Sequence, residues 1–280
     1  MTFAASAFGP RAFGDEPKPP LFSAMGIAAP MEKAAMSKAA GAQFLTVSVS
    51  DLLVPDQPDE AFAANLAKLK DCPLPVFACN GFIRPADLHC VGPEANHEAV
   101  LAWADTSFRR LKQVGATFMV FGSAGARRVP EGWPMDKATE QFVALLKLMG
   151  PLAEKHDIRV VVEQLNDSEC NFITRIGEGA AIIRAAAHPR VRMLADLYHM
   201  AKMNDTPADL KAAMDVVVHV EIAEKEGRTV PGTSGDDFRP YFHVLREAGY
   251  KGVISIEGKY TTDAQLANAF QEMAKQAADA

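Results

Sequence analysis

Residues 191–200 read VRMLADLYHM, and the fold turns on how this stretch is read. A mostly apolar run suits a buried strand. It ends on an acid, Asp196, with His199 three residues later. A carboxylate at the end of a buried strand costs several kcal/mol unless it is paired or meets a cation. Three other stretches repeat the pattern: IRVVVEQLN at 158–166 with Glu163, VVVHVEIAE at 216–224 with Glu221, and GVISIEGKY at 252–260 with Glu257. The steps between these acids are 33, 25 and 36 residues, each about one strand–helix–strand unit.

Working outward, the same alternation runs through the chain. Apolar, β-branched or aromatic runs predict strands at 22–28, 43–49, 74–80 and 117–123 before the four acid-bearing ones. Apolar residues at helical spacing predict helices at 30–40, 59–69, 96–114, 136–156, 177–187, 207–214, 236–249 and 263–278. Eight strands alternating with helices require parallel pairing and point to closure as a (β/α)8 TIM barrel over 21–280. Residues 1–20 read as a loose N-terminal arm. The competing architecture is an open doubly wound sheet, but no G-x-G-x-x-G opens a helix. In a barrel, the acids and the long loops after strands three and four share the face where barrel active sites lie.

The balance of 29 basic against 35 acidic residues, a net charge of −6, argues against nucleic acid as a partner. No apolar run approaches the ~20 residues of a membrane span. The four cysteines, Cys72, Cys79, Cys90 and Cys170, lack CxxC spacing and read as reduced thiols. The first twenty residues make a poor signal peptide, so the cytoplasm is the expected compartment, or the periplasm if a leader has been removed. The oligomeric state is left open, homo-oligomers included.

Four carboxylates converging on one mouth need a shared counterion, and hard oxygen donors suit Mg²⁺ or Mn²⁺, with Co²⁺ tolerated. Salt bridges to Lys or Arg, or helix capping, are the alternative for each acid. His199 is placed to meet a substrate hydroxyl or a ligating carboxylate. His219 shares a strand face with Glu221 one layer deeper, where packing is expected. Glu169 reads as a substrate contact or a solvated loop acid. Arg228, Arg127 and Arg128 are candidate clamps for oxygen atoms. Asn80, Asn166 and Gln164 offer amides to sugar hydroxyls, and Trp133 and Phe82 offer an apolar wall unless they pack beneath their loops. No nucleophile elbow or P-loop is present.

Taken together and in order, VVVEQLN, ADLYHM, HVEIAEKEGRTVPG and GYKGVISIEGKY resemble the xylose-isomerase-like sugar phosphate isomerase/epimerase superfamily. In its ketose 3-epimerase branch, a Glu, an Asp, a His and a Glu at the ends of strands five to eight hold a divalent metal. The two glutamates there exchange protons with the sugar carbon. The resemblance thus implies Glu163 and Glu257 as metal ligands and acid/base pair, with Asp196 as a further ligand. It also implies His199, Glu169 and Arg228 as substrate contacts. One position departs: the family reads H-x-H on strand seven, whereas this chain reads His219-Val220-Glu221. Glutamate at that position adds a negative charge and favours harder cations.

The implied reaction is proton abstraction beside a carbonyl of a sugar or keto-sugar, through an enediolate. Return of the proton gives epimerisation or isomerisation. Loss of a β-substituent would make a lyase or dehydratase acting on a keto-sugar, inosose or 3-keto-glycoside. An endonuclease-IV-like activity requires a zinc cluster with several histidines, and a non-catalytic sugar-binding protein is a further alternative.

Overall fold

The computed structural model describes residues 19–280, so the predicted arm lies outside the described residues up to position 18. Eight strands run in sequence order: β1 (Met25–Ala28), β2 (Leu45–Ser48), β3 (Val76–Asn80), β4 (Phe118–Phe121), β5 (Arg159–Glu163), β6 (Val191–Asp196), β7 (Val217–Ile222) and β8 (Ile254–Ile256). Every neighbouring pair is parallel, and β1 closes onto β8 through Met25–Ile254 and Ile27–Ile256 pairing. This is the closed (β/α)8 barrel that the alternation predicts.

The connecting helices are α1 (Ala34–Ala40), α2 (Val49–Leu52), α3 (Asp59–Leu69), α4 (His97–Val114), α5 (Ala124–Arg127), α6 (Met135–Lys155), α7 (Ile176–Ala186), α8 (Leu197–Met203), α9 (Pro207–Ala213), α10 (Arg239–Glu247) and α11 (Asp263–Asp279). The amphipathic signal is well illustrated by α4. Asn96 caps it by accepting from the Ala99 N–H at 3.0 Å, and Gly115 ends it at φ 86°. Its buried stripe, Val100, Ala104, Phe108 and Leu111, packs on the barrel wall. Phe82 belongs to that packing: it is fully buried, 5.5 Å from Phe108 and 5.3 Å from Phe121 between ring centroids. It therefore forms no wall of a sugar pocket.

The predicted strands are longer than the observed ones, mainly at their starts, because the first residues of each apolar run serve as entry loops. α10 begins at Arg239 rather than 236, since the preceding residues are drawn into a loop gathered around Glu224. The short helices α2 and α8 follow directly on strands β2 and β6, where loops are expected. Four or seven residues carry too little periodicity to announce a helix.

Inside the barrel, Ala78, Val120, Val161 and Leu194 form a buried layer, with Phe77, Phe118 and Val218 against it. Towards the strand starts the rings of Phe44, Phe77, Phe118 and His219 close the lumen. The Phe44–Phe77 and Phe77–Phe118 centroids lie 5.0 and 4.7 Å apart, and His219 sits 5.6 Å from Phe77. The lumen is thus a packed column with a polar top. No helix among the described residues is long and apolar enough to cross a membrane.

Candidate active site

Strand alternation puts Glu163, Asp196 and Glu221 on the lumen side of β5, β6 and β7, and Glu257 just beyond β8. One carboxylate oxygen from each of the four lies within 4.8 Å of all the others. The residues predicted from four separate stretches therefore meet in one place. A second, overlapping donor set joins Glu163 and Asp196 to His199.

Each acid is held differently. Asp196 ends β6 and caps α8, its Oδ1 accepting from the Tyr198 N–H at 2.7 Å, while Oδ2 is buried with no hydrogen-bond partner. Both oxygens of Glu221 are buried and unpartnered. Burial, then the charges of Glu257, Glu163 and Asp196, push the Glu221 carboxyl well above its ordinary pKa. Glu257 accepts from Asn80 Nδ2 at 3.0 Å and from the Arg228 guanidinium. Burial and the neighbouring Glu163 charge, opposed by Arg228, raise the Glu257 pKa to about 7. Glu163 lies against Gly122 at the end of β4; a methyl group at Gly122 would come within 2.4 Å of Glu163 Oε2. The glycine is what lets the carboxylate sit there.

His199 stands on the first turn of α8, not in a loop, and is fully buried. The Asn166 backbone N–H donates to His199 Nδ1 at 3.0 Å. Read from that contact, the neutral ring carries its proton on Nε2, 3.5 Å from both Glu163 Oε1 and Asp196 Oδ2. Asn166, also fully buried, further donates to Glu169 Oε1 at 3.0 Å. Its amide is thus spent behind the site, on His199 and Glu169. Gln164 Nε2 likewise donates to the Asp196 carbonyl at 2.9 Å.

Arg228 is the cation facing the cluster. Its guanidinium reaches Glu257, lies 3.3 Å from Glu169 Oε1 and 3.6 Å from Asp196 Oδ2, and stacks 4.7 Å from the Tyr198 ring centroid. Burial works against its charge, but these acids outweigh that and raise its pKa. Arg228 adopts φ 53°, the left-handed region that non-glycine residues avoid. The loop that holds it there is organised by Glu224, a residue the sequence reading passes over. Its carboxylate accepts N–H bonds from Gly232 at 2.8 Å, Gly235 at 3.0 Å and Ser234, and the Thr229 hydroxyl at 3.0 Å. Burial alone would raise the Glu224 carboxyl; these donors hold it below the usual glutamate value.

Two of the predicted clamps are placed elsewhere. Arg127 is fully buried in α5, with Nε, Nη1 and Nη2 unpartnered, and reaches no open pocket. Arg128 donates to the Glu169 carbonyl. Trp133 is partly buried against the core, and His219 packs on the aromatic floor with burial lowering its pKa to about 3. Beside the acids, a cavity of about 350 Å³ opens between Ala28, Ser48, Asp51, Asn80, Arg228 and Glu257. Glu257, its side chain 26 % exposed, connects this cavity to the buried acids.

Chemically, among the described residues Arg228 is the one arginine or lysine within 4.0 Å of these four acids, with Arg127 acting on Glu163 from farther off, and both Glu221 oxygens lack a hydrogen-bond partner. The orphaned oxygens of Glu221 and Asp196 fit a divalent cation with hard oxygen ligands. Among the described residues, the donor groups able to hold a metal include a single histidine, His199, which does not match a zinc cluster of several histidines.

The matches to known proteins agree with this architecture. A putative hydroxypyruvate isomerase of Mus musculus is 27% identical over 143 residues, 47% of this chain and 51% of that protein. A probable ketose 3-epimerase of Synechocystis is 27% identical over 139 residues, 49% of this chain and 48% of that protein. The chain thus spans about half the length of the curated relatives it matches. Among solved structures, a 3-keto-D-glucoside 4-epimerase from E. coli superposes with a TM-score of 0.73 at 21% identity, covering 88% of this chain and 97% of that one. The IOLI protein with a bound zinc atom superposes at 0.74 and 14% identity, covering 91% and 98%; both show a shared fold. The family model for xylose isomerase-like TIM barrels matches residues 34–278. That match takes in β2 to β8 with all four acids, and the chain is therefore a member of the xylose isomerase-like TIM barrel family.

Proposed function

We propose that the protein is a divalent-metal-dependent isomerase or epimerase of a small sugar or keto-sugar. The observation that carries this reading is the meeting of four carboxylates within 4.8 Å, three of them buried and two keeping unpartnered oxygens. Glu163, Asp196, Glu221 and Glu257 would hold the cation: Mn²⁺, Mg²⁺ or Co²⁺ by donor chemistry, with the zinc of one structural relative in support of a divalent ion. When bound, the cation supplies Lewis-acid polarisation of a carbonyl.

The chain's own groups then move protons. Glu257, with an open side towards the cavity, is suited to take a proton from carbon. Glu163, across the cluster and beside the Nε2–H of His199, is placed to return one. Arg228 and Asn80 orient Glu257 through both of its oxygens. Arg228, Glu169 and His199 are the groups assigned to substrate hydroxyls. Return to the other face is epimerisation and to the neighbouring carbon isomerisation; loss of a β-substituent would make the same parts a lyase.

The test is isotope exchange. With Mn²⁺ in D₂O, the protein should wash deuterium into at least one of a panel of ketoses, 3-keto-glucosides and hydroxypyruvate, read by proton NMR. Glu257→Gln should abolish exchange while the protein still melts cooperatively. Exchange retained in that variant rejects the acid/base role, and no exchange across the whole panel rejects the isomerase reading.

A further inference from the structure

At the opposite end of the barrel, a cavity of about 480 Å³ opens among Ser23, Phe77, Phe118, Arg159, Lys251 and Val253. Its inner wall is the aromatic floor: Phe77 and Phe118 stack at 4.7 Å with 27° between their planes. The Arg159 guanidinium lies 5.3 Å from the Phe118 centroid. Alternation explains how it comes to be there. On β5, Glu163 and Val161 face the lumen, and so does Arg159; on β6, Asp196 and Leu194 do, and so does Arg192.

The two arginines thus leave neighbouring strands beneath the lumen with like charge. Burial, then Arg190 and Arg192, oppose the charge of Arg159. Arg190 is taken by Asp157 at 2.8 Å, and Asp215 by Arg184 at 2.6 Å. Among the described residues, neither Arg159 nor Arg192 has an acidic partner within 4.0 Å. The Nε of Arg159 is buried without a hydrogen bond. Lys251 adds a second cation to the cavity lining. Unpaired cations beside a flat apolar floor form a receptor for one kind of molecule.

We propose that this cavity is a second ligand site, which takes a small organic anion carrying a flat apolar group. The anionic head lies between Arg159 and Lys251, which both line the cavity, where a guanidinium fork suits a carboxylate or phosphate. Arg192 lies outside the lining and only adds positive charge nearby. The flat body lies over Phe118 and Phe77. The site does not depend on the acidic cluster or on its chemistry.

Phenyl phosphate carries both features, inorganic phosphate only the charge and phenol only the ring. Titration calorimetry on the full chain should show one saturable site for phenyl phosphate, with each fragment binding at least roughly tenfold more weakly. Arg159→Gln and Lys251→Gln, each checked by thermal melt, should each weaken phenyl phosphate by roughly tenfold. Arg228→Gln, at the other end of the barrel, should leave it unchanged. If Arg159→Gln does not fold, Arg159→Lys and Lys251→Gln decide the matter. No saturable binding at millimolar probe, equal affinity in the folded bottom-face variants, or loss confined to Arg228→Gln overturns the proposal.

Discussion

Glu221 keeps both carboxylate oxygens inside the protein without a donor, a state that in a folded interior calls for a partner from outside the chain. Glu221→His removes one negative charge and substitutes a softer nitrogen donor. It should keep or improve divalent-cation affinity and move preference from Mn²⁺ and Mg²⁺ towards Zn²⁺ and Co²⁺, measured by titration calorimetry. Unaltered affinity and preference would exclude Glu221 as a ligand. Gly122→Ala tests the neighbouring acid. A methyl group there meets Glu163 Oε2, so the carboxylate must shift, and Mn²⁺ affinity should fall by roughly tenfold while the far-ultraviolet circular dichroism stays the same. The four acids were legible in the sequence because each ends an apolar run. Gly122 was not, since its importance lies in a side chain from the next strand, and a glycine after a strand, in Phe121-Gly122-Ser123, signals only a turn.

At the scale of elements, the segment from Glu224 to Asp236 is a loop built on one anion. The carboxylate gathers N–H groups from the far side of the loop, and the tightened backbone presents Arg228 to Glu257. Glu224→Gln keeps the shape and loses the charge, so charge-assisted bonds become ordinary ones. Amide hydrogen exchange at 232–236 should accelerate, and KM should rise by roughly tenfold with a smaller change in kcat, because Arg228 loosens rather than disappears. Exchange rates equal to wild type would reject the positioning role. The sequence carried a hint, a Pro-Gly pair and a second glycine within five residues, but the partner of those N–H groups sits eight residues upstream. The helix α8 was hidden for a related reason: Asp196 reads as the end of a strand, and its second duty as the cap of the next helix shows only when the Tyr198 N–H is seen bonded to it.

For the molecule as a whole, the acid cluster sets how stability responds to pH. Glu257 and Glu221 have raised carboxyl pKa values in the folded chain, so the metal-free fold binds more protons than the unfolded chain above the ordinary value of 4.5. Their contribution to stability is therefore present at low pH and lost as pH rises above 4.5, for Glu257 through about 7. A divalent cation reverses this, because it binds the deprotonated acids. The rise in Tm on adding Mn²⁺ should be larger at pH 8 than at pH 5, with protons released on binding at pH 6; a pH-independent gain would contradict a carboxylate site. The barrel itself was readable because the strand–helix alternation persists across the chain, and closure follows from eight parallel units. The opposite end was not readable, since nothing in Arg159 or Lys251 alone says that they share a cavity.

The plug of Phe44, Phe77, Phe118 and His219 makes this barrel a vessel sealed at its base. Among the described residues, the cavity lined by Arg228, Asn80 and Glu257 opens towards the carboxylates from the other end. On the proposed function, whatever blocks that opening stops traffic in both directions, so a cation would have to load before a substrate enters.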